Sequence, residues 1–182
     1  MSSRALLMLL LVLVVVVAAG AAWWFLIRPT EEDRDIAAIE KVGGKVERET
    51  PQGGPVTSID LSGTGATDAA LEIVRKFPRL THLNLSTTDI TDAGLRNLKD
   101  LTDLTSLDLS ATGITDAGLE NLQGLTKVRF LKLNLDTKVT DAGMKYLNKM
   151  TDLQRLNLVG SGVTEKGVEE LKKALPQVKV SR

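Results

Sequence analysis

A short pattern of the form Leu-x-x-Leu-x-Leu recurs along the chain at nearly constant spacing. Four copies begin at Leu80, Leu104, Val128 and Leu153, at intervals of 24, 24 and 25 residues, and a fifth begins 24 residues upstream at Val56. Periods of about 20 to 50 residues are typical of stacked-repeat proteins. Because one such unit is too small to bury its own apolar surface, neighbouring units must stack and share a core.

Each unit changes its hydrophobic period partway through. Its first half alternates apolar and polar residues, as at Leu83 and Leu85, and this period of two predicts a short strand whose leucines face the core. Its second half places apolar residues three apart, as at Leu95, Leu98 and Leu101, which predicts one face of a short helix. The sequence therefore predicts an α/β solenoid with one strand and one helix in each repeat.

A second motif, Ile-Thr-Asp-Ala-Gly-Leu or a close variant, marks the start of each helix. We expect its threonine to be the N-cap, at Thr91, Thr115, Thr140 and Thr164. The acid that follows lies in the first turn, where a negative charge meets the positive end of the helix, at Asp92, Asp116, Asp141 and Glu165.

The two motifs together resemble the leucine-rich-repeat family over about residues 56–179. Within that family, the Thr-Asp-Ala-Gly-Leu helix start is similar to a subclass found in bacterial repeat proteins and in F-box-associated repeats. The resemblance implies a horseshoe of about five repeats whose strands line a concave face. The asparagine that often follows the strand in this family is replaced by Thr64, Thr88, Thr112, Asp136 and Ser161. We therefore expect the asparagine ladder to be built by shorter side chains or to be partly missing.

Residues 29–55 are predicted to be a linker and an N-terminal capping half-repeat, and residues 56–182 the repeat domain. Thr30 and the three acids after it predict a helix through Val42, which Gly43 and Gly44 end. A short strand at 45–47 and a loop at 51–55 follow. Residues 178–180 are predicted to form a closing edge strand.

The N-terminal segment, residues 1–28, is predicted to be a membrane anchor or a signal segment. Residues 5–27 contain no charge and no proline, and as a helix they would be about 34 Å long, enough for a hydrocarbon core of about 30 Å. The aromatic cluster at 23–25, followed by Arg28, favours an uncleaved transmembrane helix. Arg4 and the Ala-Gly-Ala sequence at 19–21 support the alternative of a cleaved signal peptide.

Charge and composition limit the location and the partners. The positive-inside rule places the N-terminus in the cytoplasm, so the repeat domain is expected outside it, membrane-bound or, after cleavage, secreted. The 23 basic residues balance the 23 acidic ones, which argues against nucleic acid as a partner. The chain has no cysteine, so neither a disulfide framework nor a thiolate metal site is possible.

The polar residues between the strand leucines are predicted to line the concave face. They form three columns, of which the first contains His82 and Phe130, and the second contains Asn84 and Lys132. We expect a protein or peptide to bind there, with an aromatic residue and two flanking cations as the hot spot. The candidate binding residues are Phe130, Lys132, Arg155, His82, Asn84, Asp108 and Asn157. The alternative is an ordinary solvated strand surface.

Catalysis, cofactors and metals have little support in the sequence. His82 is the only histidine, and no serine lies in a nucleophile-elbow motif. A metal site on the second column would have only two carboxylates, Asp60 and Asp108, and Lys132 interrupts it. We therefore expect a membrane-anchored, extracytoplasmic protein-binding module rather than an enzyme. A ubiquitin-ligase-like intracellular substrate adaptor and a structural or self-associating surface element are the alternatives.

Overall fold

A computed structural model describes residues 29–51 and 53–182. The chain divides into two compact units, Met1–Asp35 and Ile36–Arg182. None of the helices within the described residues is long and apolar enough to cross a membrane. The predicted anchor or signal segment, residues 5–27, lies outside the described residues.

In the first unit, a reciprocal pair of hydrogen bonds marks the start of helix α1 (Glu31–Lys41). The backbone N–H of Asp33 donates to Oγ1 of Thr30 at 3.0 Å, and the backbone N–H of Thr30 donates to Oδ2 of Asp33 at 2.9 Å. This is the capping-box arrangement, which satisfies two amides that have no partner inside the helix. The helix begins and ends within a residue of its predicted limits.

The second unit contains one sheet of seven strands in sequence order. The strands are β1 (Lys45–Thr50), β2 (Gly53–Asp60), β3 (His82–Asn84), β4 (Ser106–Asp108), β5 (Phe130–Lys132), β6 (Arg155–Asn157) and β7 (Lys179–Ser181). Strands β1 and β2 pair antiparallel, and each later strand pairs parallel with the one before it. The predicted solenoid with one strand per repeat is confirmed.

A short helical segment returns the chain after each of the strands β2 to β6. The α-helices are α2 (Asp68–Val74), α3 (Asp92–Leu95), α4 (Asp116–Leu119), α5 (Asp141–Met144) and α6 (Glu165–Ala174). Three of them continue directly as 3₁₀ turns, at Arg96–Leu98, Glu120–Leu122 and Lys145–Lys149. A 3₁₀ helix has three residues per turn, so the turn at Arg96–Leu98 places Leu98 on the same buried face as Leu95, and Leu101 in the following loop is buried too.

The N-terminal cap differs from its prediction in one segment. The loop predicted at 51–55 is wrong, because β2 already begins at Gly53 and forms a bulged hairpin with β1, which extends to Thr50. Gly53 and Gly54 adopt φ angles of 137° and 94°, which only glycine reaches without strain, and this lets the strand begin inside the Gly-Gly sequence. At the other end, β7 closes the sheet where an edge strand was predicted.

The Thr-Asp-Ala-Gly motif links neighbouring repeats. The N–H and hydroxyl of Thr115 donate to the two carboxylate oxygens of Asp92, one repeat earlier, at 2.8 and 2.7 Å. The motif's glycine makes room for that carboxylate, since a Cβ on Gly118 would overlap Oδ1 of Asp92. The same arrangement occurs at Asp68–Thr91, Asp116–Thr140 and Asp141–Thr164. We call these four contacts the Asp–Thr clamps.

The threonines also act on their own helices, with one exception. Thr91, Thr115 and Thr140 accept a hydrogen bond from the backbone two residues ahead, as predicted for N-caps. Thr164 lies at the N-cap position, but its side chain accepts no bond from any described residue. Its backbone φ is −92°, compared with −120°, −129° and −126° in the other three. Thr164 is thus the N-cap residue, as predicted, but without the side-chain hydrogen bond that the other three threonines accept.

The asparagine ladder of the family is partly missing, as expected. Thr64 and Thr88 donate to carbonyl oxygens of their own repeats, at Leu61 and Leu85, each at 2.6 Å. Among these positions only Thr112 and Asp136 link two described repeats, since the N–H of Thr112 donates to Oδ1 of Asp136 at 2.8 Å. Asp136 is 2% exposed, and its Oδ2 has no hydrogen-bond partner among the described residues.

Candidate functional site

The polar positions of the strands form straight columns on the face of the sheet that points away from the core. We call this surface the open sheet face; it corresponds to the predicted concave face. In the first column, Ser58, His82, Ser106, Phe130, Arg155 and Lys179 are consecutive partners in register. In the second column, the corresponding partners are Asp60, Asn84, Asp108, Lys132, Asn157 and Ser181. The intervening leucines are buried, so the alternation fixes which residues are displayed.

Several second-column residues have a local structural role at the strand end. The side-chain oxygens of Asn84, Asp108 and Asn157 each accept the backbone N–H two residues later, at 3.0 to 3.1 Å. This is an Asx turn, which replaces a backbone bond where the chain leaves the sheet. The acidic and amide residues of this column therefore stabilise turns, whether or not they also bind a ligand.

Lys132 occupies the second column in β5 and forms an ion pair with Asp108, its register partner in β4. Its Nζ lies 2.9 Å from Oδ2 of Asp108, whose Oδ1 accepts the N–H of Ser110 at 3.0 Å. Both oxygens of this carboxylate are thus engaged, and one of them by a cation. The residues of the second column are therefore poorly suited to hold a divalent metal ion, which needs several free oxygen ligands.

Phe130 and Arg155 form an aromatic–cation pair on adjacent strands. The guanidinium carbon of Arg155 lies 5.6 Å from the centre of the Phe130 ring, within the range of a cation–π contact. Phe130 is 38% exposed, so the contact with Arg155 leaves part of the ring open to solvent. An exposed ring with a stacked guanidinium is the kind of side-chain pair that anchors protein interfaces.

Lys179 and Ser181 extend the predicted site by one strand. We predicted the closing strand, but both predicted columns end at the strand before it, β6. β7 pairs with β6, which brings Lys179 opposite Arg155 and Ser181 opposite Asn157. The alternation of Val178, Lys179 and Val180 could have predicted this, because the valines of an edge strand must turn toward the core and Lys179 must then lie on the opposite face.

The seven predicted binding residues fall into two neighbouring depressions. A depression of about 500 Å³ is lined by Phe130, Lys132, Arg155 and Asn157, together with Lys179, Ser181 and parts of the strands beneath. A smaller one of about 220 Å³ is lined by His82, Asn84 and Asp108, and it shares Lys132 with the first. The structure thus brings the predicted hot spot together in one depression, and the other three residues line a neighbouring depression that meets it at Lys132.

His82 has the surroundings of a surface residue. Its Nδ1 lies 2.8 Å from the hydroxyl of the adjacent Thr81, and its side chain is exposed. Among the described residues, no carboxylate is hydrogen-bonded to its ring. A general base needs both an orienting partner and a nearby nucleophile, so this arrangement gives no support for catalysis.

A family model described as Leucine Rich repeat matches residues 78–99 and 100–122. These two segments each contain one strand, one Thr-Asp-Ala-Gly motif and one helical turn of the solenoid. The chain is therefore similar to the leucine-rich-repeat family, whose model matches residues 78–122. Its place in the Thr-Asp-Ala-Gly-Leu subclass stays a prediction. No curated protein matches the sequence.

Solved structures share this fold. An internalin, InlF, from Listeria monocytogenes superposes with a TM-score of 0.50 and 23% identity, over 68% of this chain and 40% of the internalin. A leucine-rich-repeat protein of Leptospira interrogans gives a TM-score of 0.43 and 22% identity, over 61% of this chain and 33% of that one. A PEPR1–AtPEP1 structure gives a TM-score of 0.43 and 19% identity, over 70% of this chain and 18% of that one. The chain thus spans less than half the length of each, and the likeness shows the fold alone.

Proposed function

We propose that the chain is a binding module that recognises a protein or peptide through the C-terminal end of its open sheet face. The observation that carries this proposal is the exposed Phe130–Arg155 pair at the edge of a depression of about 500 Å³. Solvated strand surfaces usually carry small polar residues, as this face does at Ser58 and Ser106. A partly exposed aromatic ring costs solvation free energy, which a bound partner would recover.

The size of this end favours a short ligand segment. Strands β4 to β7 lie about 4.8 Å apart, so they span about 14 Å, which matches four or five residues of an extended chain. A standard protein interface needs about 20 to 30 residues on each side. We therefore infer that the open sheet face holds a peptide segment, and that any larger partner also contacts the loops around it.

Partner capture with matched variants tests the proposal. The full-length chain, solubilised in a nonionic detergent, is compared with Phe130→Ala/Arg155→Ala and with Lys145→Ala/Tyr146→Ala. The control removes a second aromatic–cation pair, with 4.8 Å from Nζ to the ring centre, on the helical side. We expect partners from source-cell extracts to be lost only with the first variant. Equal capture by all three proteins would contradict the proposal, and so would loss in the control alone.

We also propose that residues 5–27 hold the module at a membrane, with the repeats outside the cytoplasm. The support is the uncharged apolar composition of this segment and the basic residue that precedes it. We expect the full chain to remain in the membrane pellet after alkaline carbonate extraction, and a deletion of residues 5–27 to be released. External protease should digest the repeats in intact cells. A mature mass that lacks the first 21 residues would instead indicate a cleaved signal.

A further inference from the structure

We propose that the ligand of the open sheet face is an acidic peptide segment, whose carboxylates pair with Arg155 and Lys179 while an apolar side chain packs on Phe130. This inference rests on the proposed function and names the chemical class of its ligand. Its basis is the distribution of charge over strands β5 to β7.

Two uncompensated positive charges lie side by side at this end of the sheet. Arg155 and Lys179 are direct partners in the register of β6 and β7, and both side chains are exposed. No acidic residue in the described part of the chain forms an ion pair with either of them. Like charges directly opposite each other on neighbouring strands are unfavourable. A carboxylate bound between them would remove that repulsion.

Lys132, the third cation at this end of the sheet, does not add to the excess positive charge. Lys132 pairs with Asp108, so its charge is balanced within the chain. The net positive field therefore lies at β6 and β7. Toward the other end of the sheet the charges are mixed, because Glu47 on β1 lies opposite Ser58 and Lys45 lies opposite Asp60. A peptide that lies across the strands is therefore expected to place its acidic part at β6 and β7.

The contact of Arg155 with Phe130, at 5.6 Å from the guanidinium carbon to the ring centre, suits a carboxylate ligand. A guanidinium stacked on a ring keeps its N–H donors in its own plane, where they can form two parallel bonds to a carboxylate. A long side chain that already contacts a ring loses less conformational entropy when it binds a ligand. The exposed part of Phe130 is then available to an apolar residue that neighbours the acid.

Two cations are too few to favour nucleic acid. Binding to a phosphate backbone draws most of its affinity from many Lys and Arg contacts, and only Arg155 and Lys179 are uncompensated here. A peptide carboxylate needs only one or two cations, and an apolar side chain next to the acid can pack on the adjacent Phe130 ring.

Selection from a phage-displayed library of random 12-residue peptides tests the inference. The full-length chain in nonionic detergent is compared with Arg155→Glu/Lys179→Glu and with Arg96→Glu/Lys99→Glu, which reverses two exposed cations on the helical side. We expect wild type and the control to enrich Asp and Glu, and the first variant to enrich Lys and Arg instead. A selected acidic peptide should bind the first variant at least about tenfold more weakly.

The outcomes separate the inference from the proposed function. Selected peptides that lose binding in Phe130→Ala but show no preference for acids would overturn the inference and leave the proposed function standing. Peptides that bind Phe130→Ala and Arg155→Glu/Lys179→Glu as tightly as they bind wild type would overturn both. A fluorescein-labelled 12-nucleotide single-stranded DNA that binds as tightly as the acidic peptides, with the same dependence on Arg155 and Lys179, would replace the peptide by a nucleic acid.

Discussion

The carboxylate of Asp116 joins two successive repeats by accepting two hydrogen bonds from Thr140. Its Oδ1 accepts the backbone N–H at 2.7 Å, and its Oδ2 accepts the hydroxyl at 2.6 Å. The strands already connect the repeats on one side of the core, and this clamp connects them where the helices begin. At the last of these clamps, the hydrogen bonds from Thr164 hold the pKa of Asp141 below its usual value, with Lys166 and Arg182 contributing.

Replacing Asp116 with alanine tests the clamp. The substitution leaves the N–H of Thr140 without its partner, and a half-buried donor without a partner costs about 1–3 kcal/mol. We expect Asp116→Ala to lower the free energy of unfolding by that amount, measured by urea denaturation followed by circular dichroism. The exposed acid Asp100 provides the control, since Asp100→Ala should stay within about 0.5 kcal/mol of wild type. Equal effects of both substitutions would mean that the clamp contributes no stability.

The glycine of the motif should tolerate no side chain. A Cβ at Gly118 would overlap Oδ1 of Asp92 and must displace the carboxylate from Thr115. We expect Gly118→Ala to destabilise the chain by about 1–3 kcal/mol. Gly65→Ala is the matched control, because nothing lies within 4 Å of its Cβ position.

The loss caused by Gly118→Ala should also depend on Asp92. We expect the double variant Asp92→Ala/Gly118→Ala to be less destabilised than the sum of the single variants, because the carboxylate that the new methyl group displaces is already gone. Strict additivity in the urea midpoints of this cycle would show that Gly118 is required for a reason other than the clamp.

Asp136 should make the stability of the chain depend on pH. Burial raises the pKa of this carboxyl to about 6, despite the hydrogen bonds from Thr112, and the charge of Asp108 adds to the increase. The folded chain therefore holds the proton more tightly than the unfolded chain does. The resulting stabilisation is fully present below pH 3.8, the ordinary value, and is lost as pH rises to about 6.

Asp136→Asn isolates this effect from the other acids of the chain. The amide oxygen can still accept the N–H of Thr112, but the buried negative charge is gone. We expect the variant to be more stable than wild type at pH 7.5, by up to about 3 kcal/mol, and nearly equal to it at pH 4. Urea midpoints across this range measure the difference, with Asp100→Asn as a control that should show no such trend. A difference in stability between Asp136→Asn and wild type that does not change with pH would contradict the raised pKa.

Two regularities of the sequence determine which face carries the candidate binding residues. Alternation buries Leu83 and Leu85 and turns the half-buried Asn84 between them to the open sheet face, and the repeat interval places Asn84 beside Asp108. Phe130 and Arg155 could therefore be assigned to adjacent strands of one face. Strand β7 was not predicted to be part of the site. Lys179 lies outside the last complete repeat, so the repeat pattern did not assign it to a column.

The Asp–Thr clamps could not be derived in the same way. Asp92 lies in the first turn of its own helix, and its local sequence suggests an interaction with that helix end. Its actual partner, Thr115, is 23 residues away, and the pairing depends on how far one repeat is displaced from the next. The burial of Asp136 has a similar origin, because it depends on the packing of the turn rather than on hydrophobic period.

A photo-cross-linking comparison tests the binding face most directly. The photoreactive residue p-benzoylphenylalanine replaces Phe130 in one version of the full-length chain and Tyr146, on the helical side, in the other. We predict that irradiation in source cells produces a discrete cross-linked species from position 130, which the added substitutions Arg155→Glu/Lys179→Glu abolish, and none from position 146. A partner that cross-links through position 146 and not through position 130 would contradict the assignment of the open sheet face as the binding site.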